Sequence, residues 1–193
     1  MSLVNTPSHF IIQAAVAKRA ANPELVRSAF LWGAVAPDIP LYLLSVGGGL
    51  YFRLTGMSTG EAARHMFDDL FFKDPFWMAA HNLLHSPTML ALLLGGWWLA
   101  KRMTGRRWGW AKWFLLGCAA HTLLDIPVHH NDGPLLFFPF EWQTRFNSPV
   151  SYWDPDYYGT IFVWFELVLD GVLVGYLMTP WVKKRFGRRS SQP

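Results

Sequence analysis

The sequence predicts an all-α integral membrane helix bundle, with about four transmembrane helices and a short N-terminal half-helix. Three observations predict it. Of 193 residues, 52% are apolar and 17% aromatic, with 11 Trp. From Pro75 to Ala100 no Lys, Arg, Asp or Glu occurs in 26 residues, a run long enough to cross a bilayer with some tilt. The basic residues gather at the ends of apolar stretches: Lys101, Arg102, Arg106, Arg107 and Lys112, then Lys183, Lys184, Arg185, Arg188 and Arg189.

Taken in order, residues 7–17 (with His9-Phe10-Ile11-Ile12) read as a half-helix too short to span. The first span covers about 27–52 and is interrupted at Ala36-Pro37-Asp38-Ile39-Pro40, because proline offers no amide donor. The second span covers about 76–100, the third 110–128 and the fourth 159–181. Between the last two lies an aromatic loop, 129–158, expected at the outer interface as a lid or lipid-facing shelf. Residues 1–182 make one membrane domain and 183–193 a basic cytoplasmic tail. The 101–112 linker and the tail, the most basic stretches, are separated by two spans and share a side. The positive-inside rule then puts both termini in the cytoplasm of a bacterial inner membrane.

Several classes are excluded. The net charge of +4 has no nucleic-acid-binding spacing around it. A single cysteine, Cys118, forbids an intramolecular disulfide. Lys18 and Arg19 follow the first apolar stretch instead of preceding it, unlike a secretory signal.

Ionisable side chains inside the spans carry the functional signal. His81/His85, His121/Asp125 and Glu166/Asp170 are each four residues apart, so each pair shares a helical face. Such groups are costly at membrane depth. Counting about 1.5 Å per residue from the nearest basic boundary, His9, Asp38, His121, Asp125, Asp170, Glu166 and His85 all fall in the middle or outer half of the hydrocarbon. A divalent metal would hold such a cluster together. Ordinary alternatives exist for each pair: a hydrogen-bonded core histidine, an Asp capping a helix before Pro127, or two carboxyls sharing a proton. One of His129 and His130, just beyond the third span, is placed to complete the site.

The pieces Ser8-His9, Gly33-Ala34-Val35-Ala36-Pro37-Asp38-Ile39, His81-x3-His85-Ser86, His121-Thr122-Leu123-Leu124-Asp125 and Gly133-Pro134-Leu135-Leu136-Phe137-Phe138-Pro139 together resemble the YdjM-like membrane-bound metal-dependent hydrolases over about residues 5–146. That group is in turn similar to zinc-dependent phospholipase C. The resemblance implies that His9, Asp38, His85, His121 and Asp125 hold a divalent metal, zinc or a similar ion, and that an ester or phosphoester is hydrolysed.

The expected function is a membrane-embedded metal-dependent hydrolase acting on a lipid or amphiphilic ester. Asp125, Glu166 and Asp170 would carry catalysis, with Glu166 or Asp170 as general base. The expected partners are membrane lipid and a membrane protein, with no nucleic acid. The alternative is a non-catalytic accessory subunit of a larger membrane complex that keeps the same scaffold. An ion path through the acids is a third reading, disfavoured by the lack of an internal repeat.

Overall fold

The computed structural model describes residues 5–106 and 108–186. Among them every regular element is helical, and the one extended pairing is an isolated bridge between Leu135 and Arg145. Helix α1 (Asn5–Arg19) ends in Lys18 and Arg19, the sign that suits a helix C-terminus. Helices α2 (Arg27–Gly33) and α3 (Ile39–Leu54) are the two halves of the first expected span. The turn between them holds Pro37 and Asp38, and Pro40 sits in the first turn of α3, where its missing donor costs nothing.

Helix α4 (Thr59–Arg64) opens with a capping box: Glu61 N–H donates to Ser58 Oγ at 3.3 Å, and Ser58 N–H donates to Glu61 Oε2 at 2.8 Å. It passes through a π-helical turn, His65–Leu70, into α5 (Phe71–Lys73). Asp74 then caps α6 (Pro75–Asn82) by accepting from the amides of Phe76 and Trp77, both at 3.0 Å.

The charge-free run of 75–100 is not one straight helix. α6 and α7 (Pro87–Thr104) meet at 56°. Pro87 cannot donate back along the helix and holds Ser86 extended (φ −71°, ψ 130°). Helix α8 (Gly109–Asp125) continues into a 3-10 turn, Ile126–Val128, at Pro127. Helix α9 (Gly159–Phe186) closes the described chain.

The core is built on α8. Helix α2 crosses it where two glycines meet. A Cβ on Gly33 would lie 2.6 Å from Cys118 N, and one on Gly117 would lie 3.0 Å from Gly33 Cα. Backbone therefore packs on backbone, closer than any side chain permits. Leu90, Leu115 and Cys118 fill the α7–α8 seam. Helix α1 lies on the other side of α8, tied by Gln13 Nε2, which donates to Gly117 O at 3.1 Å.

The 129–158 loop, expected as an outer lid or shelf, has an ordered interior. Leu135 and Phe138 are buried with Met78 in a small second core. The loop's backbone is satisfied by side chains from the α6–α7 break: Leu135 N–H donates to Asn82 Oδ1 at 2.7 Å, and Thr88 Oγ1 donates to Leu136 O at 2.7 Å. Buried amides require such partners. Phe137, Phe140, Phe146, Trp153 and Tyr158 remain on the outside.

By length and composition, one described helix is able to cross a membrane, Gly159–Arg185; the bent α6–α7 pair makes a second if it counts as one span. The third expected span is a 17-residue helix, about 26 Å long, short of the ~30 Å hydrocarbon. The most apolar window of α9 is only 6% buried. Its main protein contact is α1. Pro180 lies inside α9 and leaves the carbonyl of Tyr176 without its usual donor. Lys18 Nζ donates to that carbonyl and, at 3.0 Å, to Thr179 Oγ1, while its charge lies 4.1 Å from the Tyr176 ring centroid.

Candidate metal centre

The four residues of the candidate centre come from three parts of the fold. Asp125 ends α8, with His121 one turn before it; His85 sits in the α6–α7 break; Asp38 sits in the α2–α3 turn. Both breaks occur at prolines, so the same residues that interrupt the helices turn these side chains inward. One ligand atom from each of Asp38, His85, His121 and Asp125 lies within 4.8 Å of the others. His121 Nε2 is 3.0 Å from Asp125 Oδ2 and 3.4 Å from Asp38 Oδ1. His85 Nε2 touches Asp125 Oδ2. His9 stands beside the four: its Nε2 is 2.7 Å from Asp125 Oδ1, and its ring centroid is 4.0 Å from that of His121.

His9, His85, His121 and Asp125 are 0–3% exposed. The Asp38 side chain is 18% exposed and forms part of the wall of a cavity of about 560 Å³. Tyr42, Phe67, Phe71, Phe72, Tyr152 and Trp153 supply aromatic wall, and among the described residues no Lys or Arg lines it.

These residues fit a divalent ion. Two carboxylates balance its charge, and imidazole nitrogens complete a mixed nitrogen and oxygen set that zinc accepts. His9 Nε2 and His121 Nε2 are buried and make no hydrogen bond, although carboxylate oxygens lie beside them. Nitrogens and oxygens converging on a point, off hydrogen-bond directions, is the arrangement an ion produces.

The surrounding shell orients the ligands. The carbonyl of Ala34 is 2.8 Å from His121 Nδ1, which must donate the proton and so leaves the Nε2 lone pair facing the carboxylates. Thr6 Oγ1 donates to Asp38 Oδ2 and is 2.6 Å from the Tyr42 hydroxyl. Thr122 Oγ1 donates to His85 O at 2.9 Å and fixes the α6–α7 break on α8. His129 Nδ1 is 3.0 Å from Asp125 O, and its ring forms part of the cavity wall. His81 is buried beside His85, with ring centroids 4.6 Å apart, outside the four-residue group.

Glu166 and Asp170 lie elsewhere. Both meet Ser8 across the α1–α9 seam, where Ser8 Oγ donates to Asp170 Oδ2 at 2.7 Å. They are not among the residues lining the cavity. Ser8 is one residue along α1 from His9.

Near the cavity, burial lowers the Arg145 guanidinium to about 10 against the opposing pull of Asp132, and burial pushes the Tyr152 hydroxyl up. Arg145 faces Phe71 and Phe72 at 5.0 and 5.3 Å and donates to Gly133 O, bracing the cavity wall from behind.

Thr6 and Tyr42 escaped the reading of the sequence, yet each carries a usable signal. Thr6 precedes His9 by three residues, and Tyr42 follows Asp38 by four, the spacings that share a helical face.

Comparison with curated proteins and with solved structures gives no match. A family model for zinc-dependent phospholipase C matches residues 8–191, taking in all five candidate ligands. The chain belongs to the zinc-dependent phospholipase C family, and a divalent metal, zinc by that family's description, is its cofactor.

Proposed function

We propose that the chain is a membrane-embedded hydrolase of the YdjM-like kind, cleaving a lipid or amphiphilic ester or phosphoester. Its coarser character, a metal-dependent lipid hydrolase, follows from the family and the ligand cluster. The observation that carries the reading is four ligand atoms within 4.8 Å of one another, three of the residues lining a largely apolar cavity. Membrane embedding is supported by α9, whose apolar side chains Ile161, Trp164, Phe165, Val168 and Val172 face outward. A bacterial inner membrane with both termini cytoplasmic is the location that the charge pattern favours.

When bound, the metal supplies a Lewis acid that draws charge from a phosphoryl or carbonyl oxygen. The chain's own residues do the rest. Asp38, His85 and Asp125 line the cavity and Asp38 is the most exposed of the four ligands, so substrate approaches from its side; Thr6 holds its far oxygen. His129 donates its Nδ1 proton to Asp125 O, which leaves Nε2 with a lone pair. We assign His129 to take a proton from water as the water oxygen bonds to phosphorus or acyl carbon, and to return it to the departing alcohol. The aromatic wall receives the apolar part of the substrate and excludes bulk water. Glu166 and Asp170, expected as general base, take a positioning role: they hold Ser8, and through it the turn of α1 that presents His9.

The test is elemental analysis of purified protein alongside release of water-soluble product from phospholipid micelles. One bound divalent metal per chain, lost together with hydrolysis in His121→Ala, supports the reading. A metal-free protein with full activity removes it.

The exposed face of α9 also suits a helix from another membrane protein, and so favours an accessory subunit as the second reading. Isolation in mild detergent with a stoichiometric partner and no metal would select it.

A further inference from the structure

The bundle has two chemically distinct poles. Ser8 meets Asp170 and Lys18 meets Tyr176, so α1 and α9 run parallel. His9 meets Asp125 and Gln13 meets Gly117, so α1 and α8 run antiparallel. His85 meets Asp125 and Trp97 Nε1 donates to Trp108 O, so α7 and α8 also run antiparallel. All four helices thus bring their basic ends to one pole; His9, His85 and Asp125 lie at the other, where α9 contributes Asp170.

At the basic pole, cations from α1, α7 and α8 lie over aromatic rings of α9, α7 and α8. Lys18 is 4.1 Å from Tyr176, Lys101 is 5.5 Å from Trp97, Arg102 is 5.0 Å from Trp98 and Lys112 is 4.9 Å from Trp113. Lys183, Lys184 and Arg185 complete the collar in the last turn of α9. Aromatic rings paired with basic side chains are what an anionic headgroup layer binds. The ligand pole is the reverse: Asp38, Asp68, Asp125 and Asp132 line the cavity, with Arg145 behind its wall.

We infer that the basic collar is seated in the cytoplasmic leaflet and that the metal centre acts on lipids of the opposite leaflet. The inference rests on the membrane-embedded hydrolase reading above. Thirteen residues separate Lys112 from Asp125, and thirteen separate Asp170 from Lys183. That is about 20 Å of helix within about 30 Å of hydrocarbon. The cavity continues beyond Asp125 to Asn131, Asp132 and Trp153, farther still from the collar. A lipid of the far leaflet reaches Asp38 with its headgroup near its own interface. A cytoplasmic-leaflet lipid would have to carry its polar ester through most of the apolar layer.

Two measurements test this. The first needs no catalysis: single cysteines at Phe140 and Thr104, both exposed, are probed in intact cells with a membrane-impermeant thiol reagent. Labelling of Phe140→Cys from outside, with Thr104→Cys labelled only after permeabilisation, is expected; the opposite pattern overturns the orientation. For the second, the zinc-loaded full chain is reconstituted in vesicles of phosphatidylcholine, phosphatidylethanolamine and phosphatidylglycerol. The lipids are isotopically labelled in one leaflet, and vesicles with the basic tail outward are captured by a C-terminal tag. Labelled product should appear at least about tenfold faster from the inner leaflet, the one opposite the tail, because an ester from the tail-side leaflet must cross most of the hydrocarbon. Equal rates, or faster release from the tail-side leaflet, overturn the leaflet assignment and leave the hydrolase reading standing. No product from vesicles or from detergent micelles of the same lipids overturns the hydrolase reading itself, and the leaflet assignment with it.

Discussion

Helices α8 and α9 look alike as strings of letters: each is apolar, each carries two ionisable residues four apart, and each has glycines along it. In the folded chain they do opposite things. α8 is enclosed by α2, α7 and α1, and its pair, His121 and Asp125, meets side chains from three other elements. The main neighbour of α9 is α1, and its pair, Glu166 and Asp170, meets Ser8. Leu115 and Cys118 of α8 are buried against protein, whereas most large apolar side chains of α9 are left to the surroundings. What separates the two helices is whether a neighbour's backbone can come close, and Gly33 against Gly117 is where it does.

The comparison breaks first at Asp125. Asp125→Ala should abolish stoichiometric metal and slow hydrolysis by more than about a hundredfold, since even supporting residues around metals cost 10- to 100-fold; elemental analysis and a product-release assay measure both. Gly117→Ala inserts a methyl where Gly33 Cα would be 3.0 Å away. It should lower stability by about 1–3 kcal/mol, read as a drop in thermal midpoint in detergent, whereas Gly171→Ala on α9, where a Cβ meets nothing within 4 Å, should leave the midpoint unmoved. Glu166→Gln should keep the metal and change the rate by less than about tenfold, because a general base would contribute 10²–10⁴-fold; a larger fall with metal retained would restore Glu166 as the base. Smallest is Lys18→Met, which removes one of two side-chain donors to the Tyr176 carbonyl at the Pro180 break, leaving Thr179 Oγ1 at 2.7 Å. It should cost about 0.5–1.5 kcal/mol, seen as faster proteolysis at the C-terminal end of α9.

Much of the centre was legible because its signals are local. Four-residue spacing, prolines beside Asp38, His85 and Asp125, and the Ser8-His9 pair pointed to the side chains that gather. Helix breaks were legible for the same reason, as at Ala36–Pro40. Three things were not. Glu166/Asp170 carries the same spacing as His121/Asp125, and nothing local says which pair finds ligands from other helices. The 75–100 run lacks charge throughout, so its apolarity outweighed Ser86-Pro87, whose backbone geometry bends it by 56°. The 129–158 loop is rich in interfacial aromatics, but its fold depends on Asn82 and Thr88, which bond to residues 53 and 48 positions away. Partners that distant leave no periodic trace.

The glycine crossing reaches further than packing. Ala34, whose carbonyl fixes the proton on His121, is next to Gly33, and His121 is one turn beyond Gly117. Two missing side chains thus dictate which imidazole nitrogen is left bare. Among relatives, a bulkier letter at either position would mark chains whose histidine has been let go from its duty, a sorting rule that needs nothing but an alignment.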